Sequence, residues 1–318
     1  MSAALTSNRK FGLSTETTVG VLLGGNSSER RISLRSGKAV IKAFRAAGVK
    51  VLAIDTADKA LARRKLKLID VAFIALHGAG GEDGVIQKVL EKEGIPYTGS
   101  NSQSSRNAFD KVRAKKIFLK HKIPTPAYRI VSLQNWQRQL SRLGLPAFAK
   151  PIADGSSVGA FPILDPDQCR SKMIAELGRF HSLLVERKIE GREFTVGILG
   201  NSALPVIEMV SKRVFFDYRA KYTPGMTRYD VPANISKQLS KRLSRIAMQA
   251  HRALKLRDLS RVDLMVDHAG NIYVLEANSI PGMTEMSLLP KAARAAGLSF
   301  ESFCIQLIQQ AVKRNGTH

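Results

Sequence analysis

Residues 262 to 280, "VDLMVDHAGNIYVLEANSI", read as two short apolar strands around a turn, yet Asp263, Glu276 and Asn278 stand where buried strands ordinarily carry nothing charged. Side chains alternate along a strand, so Glu276 and Asn278 share a face, and a turn over 268 to 271 brings Asp263 opposite or diagonal to Glu276. With no Lys or Arg between them, two such carboxylates repel in a low dielectric unless a hard divalent cation neutralises them. Mg²⁺ suits the set, because it takes few protein oxygens and completes its shell with water and phosphate. The pattern also fits a solvent-facing strand whose acids are simply hydrated. Asn278, a neutral oxygen donor on the same face, favours the metal.

Upstream, "TTVGVLLGG" (17–25) is a buried strand ending in glycines, "SLRSGKAVIKAFRAAG" (33–48) a helix and "KVLAID" (50–55) a second strand. "IDVAFIALHGAGGEDG" (69–84) repeats the strand and Gly-rich loop. This alternation predicts a parallel sheet whose ligand crevice lies at the carboxyl ends of the strands, where Glu29 and His77 fall. "FDKVRAKKIFLKHKIPTP" (109–126) reads as a helix stopped by Pro124. A helix around Trp136, strands in "LPAFAKPI" and "FPIL", and a helix from about Asp167 follow. "LLVERKIEGREFTVGILGNSALPVIEMV" (183–210) alternates like antiparallel strands, with a hairpin turn at Gly200 and Asn201. A final helix covers "FESFCIQLIQQAV" (300–312).

At 318 residues the chain is long for one core, so two or three domains are expected. The longest apolar runs, such as Val71 to Leu76, fall far short of the ~18 residues of a membrane span, and the N-terminus lacks a signal-peptide core, so a cytoplasmic location and no membrane partner are expected. Cys169 and Cys304 form no C-x-x-C pattern, which suits a reducing compartment. The formal charge of +24 can mark a nucleic-acid binder. However, much of it lies along "ISKQLSKRLSRIAMQAHRALKLRD" (235–258), where Ile235, Leu239, Leu243, Ile246, Ala250 and Leu254 recur at helical spacing with the cations between them. That is a solvated face without interleaved aromatics, so a small anionic substrate is favoured over nucleic acid.

Other motifs carry less. "GSSVG" (155–159) matches the serine-hydrolase elbow with Ser157 as nucleophile, but "AFPILDP" after it reads as a strand, where the elbow requires a helix. A hairpin tip whose backbone N–H groups close over phosphates, with Lys150 entering it, is the better physical reading; an ordinary hairpin is the plain one. "LLGGNSSER" with Asp55 suggests a dinucleotide site, but the G-x-G-x-x-G spacing is missing, as is any P-loop. No His or Cys pattern supports zinc.

Taken in order, "GGNSSER", "IALHGAGGEDG", Asp110–Lys111, "AKPIADGSSVG", "EFTVGIL", "FDYRAKY", "RVDLM" and "LEANSIPGMTEMSLLP" resemble the D-alanine:D-alanine ligase family of the ATP-grasp superfamily, from about residue 19 to 312. The resemblance implies an α/β, three-domain ATP-grasp architecture: an N-terminal parallel-sheet domain (1–105), then central (106–187) and C-terminal (188–318) α+β domains. It implies ATP-dependent joining of two D-alanines through an acyl phosphate for peptidoglycan precursors, and a homodimer. By the same resemblance Asp263, Glu276 and Asn278 hold two Mg²⁺ ions, with Mn²⁺ an alternative, and Lys111, Lys150 and Lys221 contact phosphates. Glu186 serves adenine and Glu193 the ribose. Glu29 holds the first D-alanine's ammonium beside His77, and Ser156 and Tyr222 link Glu29 to the loop at 217–230. Arg261 and the Gly282 N–H stabilise the oxyanion, and Ser287 and Leu288 cradle the second carboxylate. Tyr222 favours the dipeptide over the D-lactate ester that relatives make. Arg187, Arg219 and Ser260 depart from the family's common pattern. Two rivals remain, a serine hydrolase using Ser157 and a non-catalytic nucleic-acid binder.

Overall fold

The structure is a computed structural model and describes residues 16–155, 158–211 and 227–315. Strands β1 (Thr18–Leu23), β2 (Lys50–Asp55) and β3 (Val71–Ile74) form a parallel sheet in the order β2-β1-β3. The crossover helix Arg30–Ala46 lies over it, and Phe44 meets Phe73 edge-on at 5.6 Å. The C-terminal helix Phe300–Asn315 returns to the same core, burying Phe303 and Cys304 beside Phe44. Its apolar surroundings push the Cys304 thiol well above its ordinary range. A sheet covered by helices needs apolar residues on both faces, which is why β1 and β3 are near-continuous apolar runs.

The second sheet is antiparallel, in the order β4 (Tyr128–Val131), β7 (Leu183–Arg187), β5 (Ala147–Pro151), β6 (Phe161–Ile163). The helices Trp136–Leu143 and Arg170–Phe180 cover it with Trp136, Leu140, Met173 and Leu177. The third sheet runs β11 (Thr227–Asp230), β10 (Ile207–Ser211), β8 (Gly191–Leu199), β12 (Leu259–Asp267), β13 (Ile272–Asn278), with β9 (Ser202–Ala203) paired to β8. The segment 183–210 is thus divided between two sheets: β7 belongs to the second and β8 to the third. Glu186 and Glu193 stand on either side of that crossing. The hairpin turn at Gly200 is present, with Ile198 opposite Ala203.

The basic helix, Lys237–Ala253, lays Leu243, Ala247 and Ala250 against Phe194, Val196, Val262 and Leu264, as its apolar spacing predicts. The predicted helix over 109–126 is shorter, because Asp110 ends one helix (Ser102–Phe109) and its carboxylate accepts the Arg113 N–H to cap the next (Lys111–Lys120). Among the described residues no helix is long and apolar enough to cross a membrane.

Ser260, which stands where the family often has glycine, is fully buried, and its hydroxyl lies 2.7 Å from His251 Nδ1. Burial, followed by the nearby Arg252 cation, lowers His251 to about 4. An unfolded chain with an ordinary imidazole binds more protons between about 6.5 and 4, so this histidine's contribution to stability is complete above 6.5 and is lost as pH falls toward 4. Denaturant midpoints are expected to fall across that window, and His251→Asn, which keeps a hydrogen-bonding group near the Nδ1 position, is expected to flatten the dependence. An unchanged acid slope in the variant would refute it.

Candidate active site

The three sheets meet at a cleft of about 510 Å³. Its floor is the hairpin β12–β13, where Asp263 pairs directly with Glu276 and Arg261 with Asn278. The strands slip by one residue after Asp263, so Leu264 pairs with Val274 and Leu275 is extra. This bulge lets Val274 stay in the core while Glu276 and Asn278 both face the cleft.

The two carboxylates are not left to repel each other, which corrects the expectation of no Lys or Arg between them. Arg261 grips Asp263 bidentately, Nε to Oδ1 at 2.9 Å and Nη2 to Oδ2 at 2.7 Å, and the Thr195 hydroxyl donates to Oδ1 at 2.6 Å. Lys111 Nζ stands 3.9 Å from Glu276. Burial works against the Arg261 charge, but Asp263, then Glu276 and Glu82, outweigh it and hold the guanidinium above its ordinary range. Among the described residues no group of three or more His, Cys, Asp or Glu is arranged to hold a metal. The candidate donors are two carboxylates and the Asn278 amide, whose oxygen accepts the Ile280 N–H at 2.9 Å. An all-oxygen donor set fits a hard divalent cation such as Mg²⁺ or Mn²⁺ and not a thiolate- or imidazole-seeking metal.

Lys111, in the first turn of its helix, donates to the Asp154 carbonyl at 2.6 Å at the mouth of the β5–β6 loop. Lys150 on β5 and Glu186 on β7 meet at 2.6 Å. Lys115, one helical turn after Lys111, reaches the other Glu186 oxygen at 2.8 Å. Burial opposes all three charges. It brings Lys115 down to about 8, while Lys150 is held above its usual range chiefly by Glu186, and Glu186 below its own by Lys150 and then Lys115. Lys115 was not predicted. Its spacing from Val112 and Phe118 places it on the buried face of the helix, and that was the available signal. Glu193 enters the cleft from β8, opposite Met265 and Met209.

The opposite wall comes from the parallel sheet. Glu29, 8% exposed, precedes the helix Arg30–Ala46. Gly78, at φ 71°, and Gly155 press against its carboxylate: a Cβ would lie 2.9 Å and 2.6 Å from Glu29 Oε2 respectively. Gly155→Ala displaces this flexible carboxylate rather than backbone. If a small substrate binds against Glu29, its KM is expected to rise roughly tenfold, with the affinity of a ligand bound elsewhere in the cleft unchanged. Steady-state titration of each substrate checks this, and equal shifts for both would contradict it. His77 is buried, with Nε2 2.9 Å from Ser36 Oγ and Nδ1 3.6 Å from Glu82. Ser36 Oγ also accepts the Met283 N–H at 3.3 Å, which joins this wall to the loop carrying Gly282.

A Cβ at Gly282 would lie 2.8 Å from Ser287 Oγ, so a larger residue there must displace the Ser287 hydroxyl. Ser287 precedes the helix Leu288–Ala295 and has no side-chain cap bond to it; its hydroxyl instead accepts the Thr284 N–H at 3.1 Å. Ser287, Leu288 and the helix N-terminus face the cleft, an arrangement that suits an anion.

Every predicted site residue within the described residues therefore lines this one cleft. Ser156, Ser157, Arg219, Lys221 and Tyr222 lie outside the described residues. Arg187 also lines the cleft. The β5–β6 hairpin, with Ala147 opposite Ile163, puts a strand after the "GSSVG" loop and denies it the helix of a serine-hydrolase elbow. Asp55, part of the suggested dinucleotide site, does not line the cleft: Arg30 binds it at 2.9 and 2.7 Å, and these bonds hold its carboxyl down to about 2.

A parallel-sheet domain followed by two α+β sheets that close on such a cleft is the ATP-grasp fold. The profile described as the D-ala D-ala ligase C-terminus matches residues 117–309, and that of the N-terminus residues 55–100. A D-alanine–D-alanine ligase of Alkalilimnicola ehrlichii is 43% identical, spanning 93% of this chain and 95% of its own. One from Saccharophagus degradans is 41% identical over 92% and 93%. The crystal structure of the Bacillus anthracis D-alanine–D-alanine ligase complexed with ATP superposes with a TM-score of 0.84 at 32% identity, covering 94% of this chain and 99% of that one. The chain belongs to the D-alanine–D-alanine ligase family.

Proposed function

We propose that this protein joins two D-alanines in an ATP-dependent reaction that supplies cell-wall precursors. The observation that carries the reading is the convergence, in a member of this family, of anion-binding lysines, a carboxylate-lined floor and the Glu29 wall on one cleft. A carboxylate in water is a poor electrophile. Transfer of the γ-phosphoryl to a carboxylate oxygen of the first D-alanine breaks the bond to ADP and forms an acyl phosphate. The amine of the second D-alanine then attacks the carbonyl carbon, and phosphate leaves.

In this reading Glu29 fixes the first substrate's ammonium beside His77, and Lys111 and Lys150, with Lys221, neutralise the phosphates. Glu186 receives the adenine amine and Glu193 the ribose. The Arg261 guanidinium and the Gly282 N–H receive the negative charge of the tetrahedral intermediate. Ser287, the Leu288 N–H and the helix behind them receive the second carboxylate. Ser156 and Tyr222, which lie outside the described residues, keep the role of linking Glu29 to the 217–230 loop that the family resemblance gives them. Asp263, Glu276 and Asn278 would hold Mg²⁺, which supplies charge neutralisation for the transferring phosphoryl group. The reading also takes the domains as 1–105, 106–187 and 188–318, the location as cytoplasmic and the assembly as a homodimer.

The test uses purified protein with Mg-ATP and D-alanine, alone or mixed with D-lactate, and products identified by mass. The dipeptide and stoichiometric ADP are expected. ATP hydrolysis that does not depend on D-alanine, or a depsipeptide as main product, would overturn the reading.

A further inference from the structure

Three ionised side chains meet beneath the cleft: Lys115, Glu186 and Lys150, with side chains 1%, 4% and 10% exposed. Lys115 Nζ is also 2.7 Å from Thr125 Oγ1 and 3.4 Å from the Pro126 carbonyl, and it sits 5.5 Å over the Tyr128 ring. The Thr125 hydroxyl in turn donates to the Val274 carbonyl at 2.8 Å, on the strand that carries Glu276. Burying such a set is costly, and apolar packing of the same volume is often as stable. One ammonium would also be enough to balance one carboxylate, so a second requires a separate reason.

The two ammoniums differ in where they stand. Lys150 lines the cleft and must share its three donors with an anionic ligand there; Lys115 is fully buried and does not line it. We propose that Lys115 is a positioning residue for nucleotide binding: it holds the Glu186 carboxylate in place and ionised while Lys150 turns to the phosphates, and through Thr125 it ties that carboxylate to the β13 strand. The proposal rests on the assignment of Glu186 to the adenine. The charges agree with it, because Lys115 helps to hold Glu186 below its ordinary range.

The test is a double-variant cycle read by calorimetric titration with ATP in the absence of D-alanine. Lys115→Met keeps the length of the side chain and removes the charge. It is expected to weaken ATP binding by roughly tenfold or more, the scale of a hydrogen bond to a charged group. The KM for D-alanine should stay unchanged. In a Glu186→Gln background the same change should cost no further ATP affinity, because Lys115 acts through that carboxylate. Additive losses, or a lowered melting temperature with unchanged ATP affinity, overturn the Lys115 proposal and leave the Glu186 assignment standing. A Glu186→Gln protein that binds ATP as the parent does overturns both. If Lys115→Met does not fold, Thr125→Val decides: it removes one anchor of the ammonium and should weaken ATP binding a few-fold, and no weakening contradicts the proposal.

Discussion

Glu276→Gln is expected to lower turnover by roughly 10³-fold or more while leaving the fold intact, the scale of weakening electrostatic stabilisation of a transferring phosphoryl, because Glu276 would help to hold the Mg²⁺ that neutralises it. The amide keeps the size of the side chain and one oxygen, but it removes half of the formal negative charge that Asp263 and Glu276 present on paired residues. The Glu276 side chain is 33% exposed and its ion pair with Lys111 is long at 3.9 Å, so that pair contributes little folding energy. The melting temperature should therefore stay within about 2 °C of the parent. Turnover at saturating substrates and a melting curve on the same preparation check both halves. Turnover within tenfold of the parent would remove Glu276 from the reaction.

Arg261→Met should lose both activity and stability, for separable reasons. The guanidinium stands in the cleft as the donor assigned to the developing oxyanion, and loss of one such donor lowers turnover by roughly 10²–10³-fold. The same group is the bidentate partner of Asp263, whose side chain is 10% exposed. Its removal leaves a buried carboxylate with, among the described residues, the Thr195 hydroxyl at 2.6 Å as its side-chain donor, which is expected to cost about 3 kcal/mol. Adding Asp263→Asn removes the unpaired charge and should restore much of the stability but none of the turnover. Denaturant unfolding alongside steady-state rates separates the two, and recovery of activity in the double variant would contradict the oxyanion role.

The sequence carried most of the floor of this cleft, because period-two alternation and the turn at 268–271 set which residues of β12 and β13 share a face. Local alternation could not show the bulge at Leu275, which depends on Val274 being drawn into a core built by distant residues. Nor could it show that β7 and β8 separate into different sheets, since pairing partners are not written in either strand. Long-range polar partners were equally hidden: Ser36 meets His77 across 41 positions and Thr195 meets Asp263 across 68. Lys115 was legible in part, because its spacing marked a buried position, but only the fold brings Glu186 to it. The roles of the individual cleft residues came from resemblance to the family, and the variants above test them one by one.

The central claim is that a carboxylate of D-alanine is phosphorylated before the peptide bond forms. D-alanine labelled with ¹⁸O in its carboxylate, turned over with Mg-ATP and this protein, tests it by mass analysis of the released phosphate. One ¹⁸O atom per phosphate is expected, carried across when the acyl phosphate is cleaved at its carbonyl carbon. Unlabelled phosphate released in step with dipeptide would contradict the account.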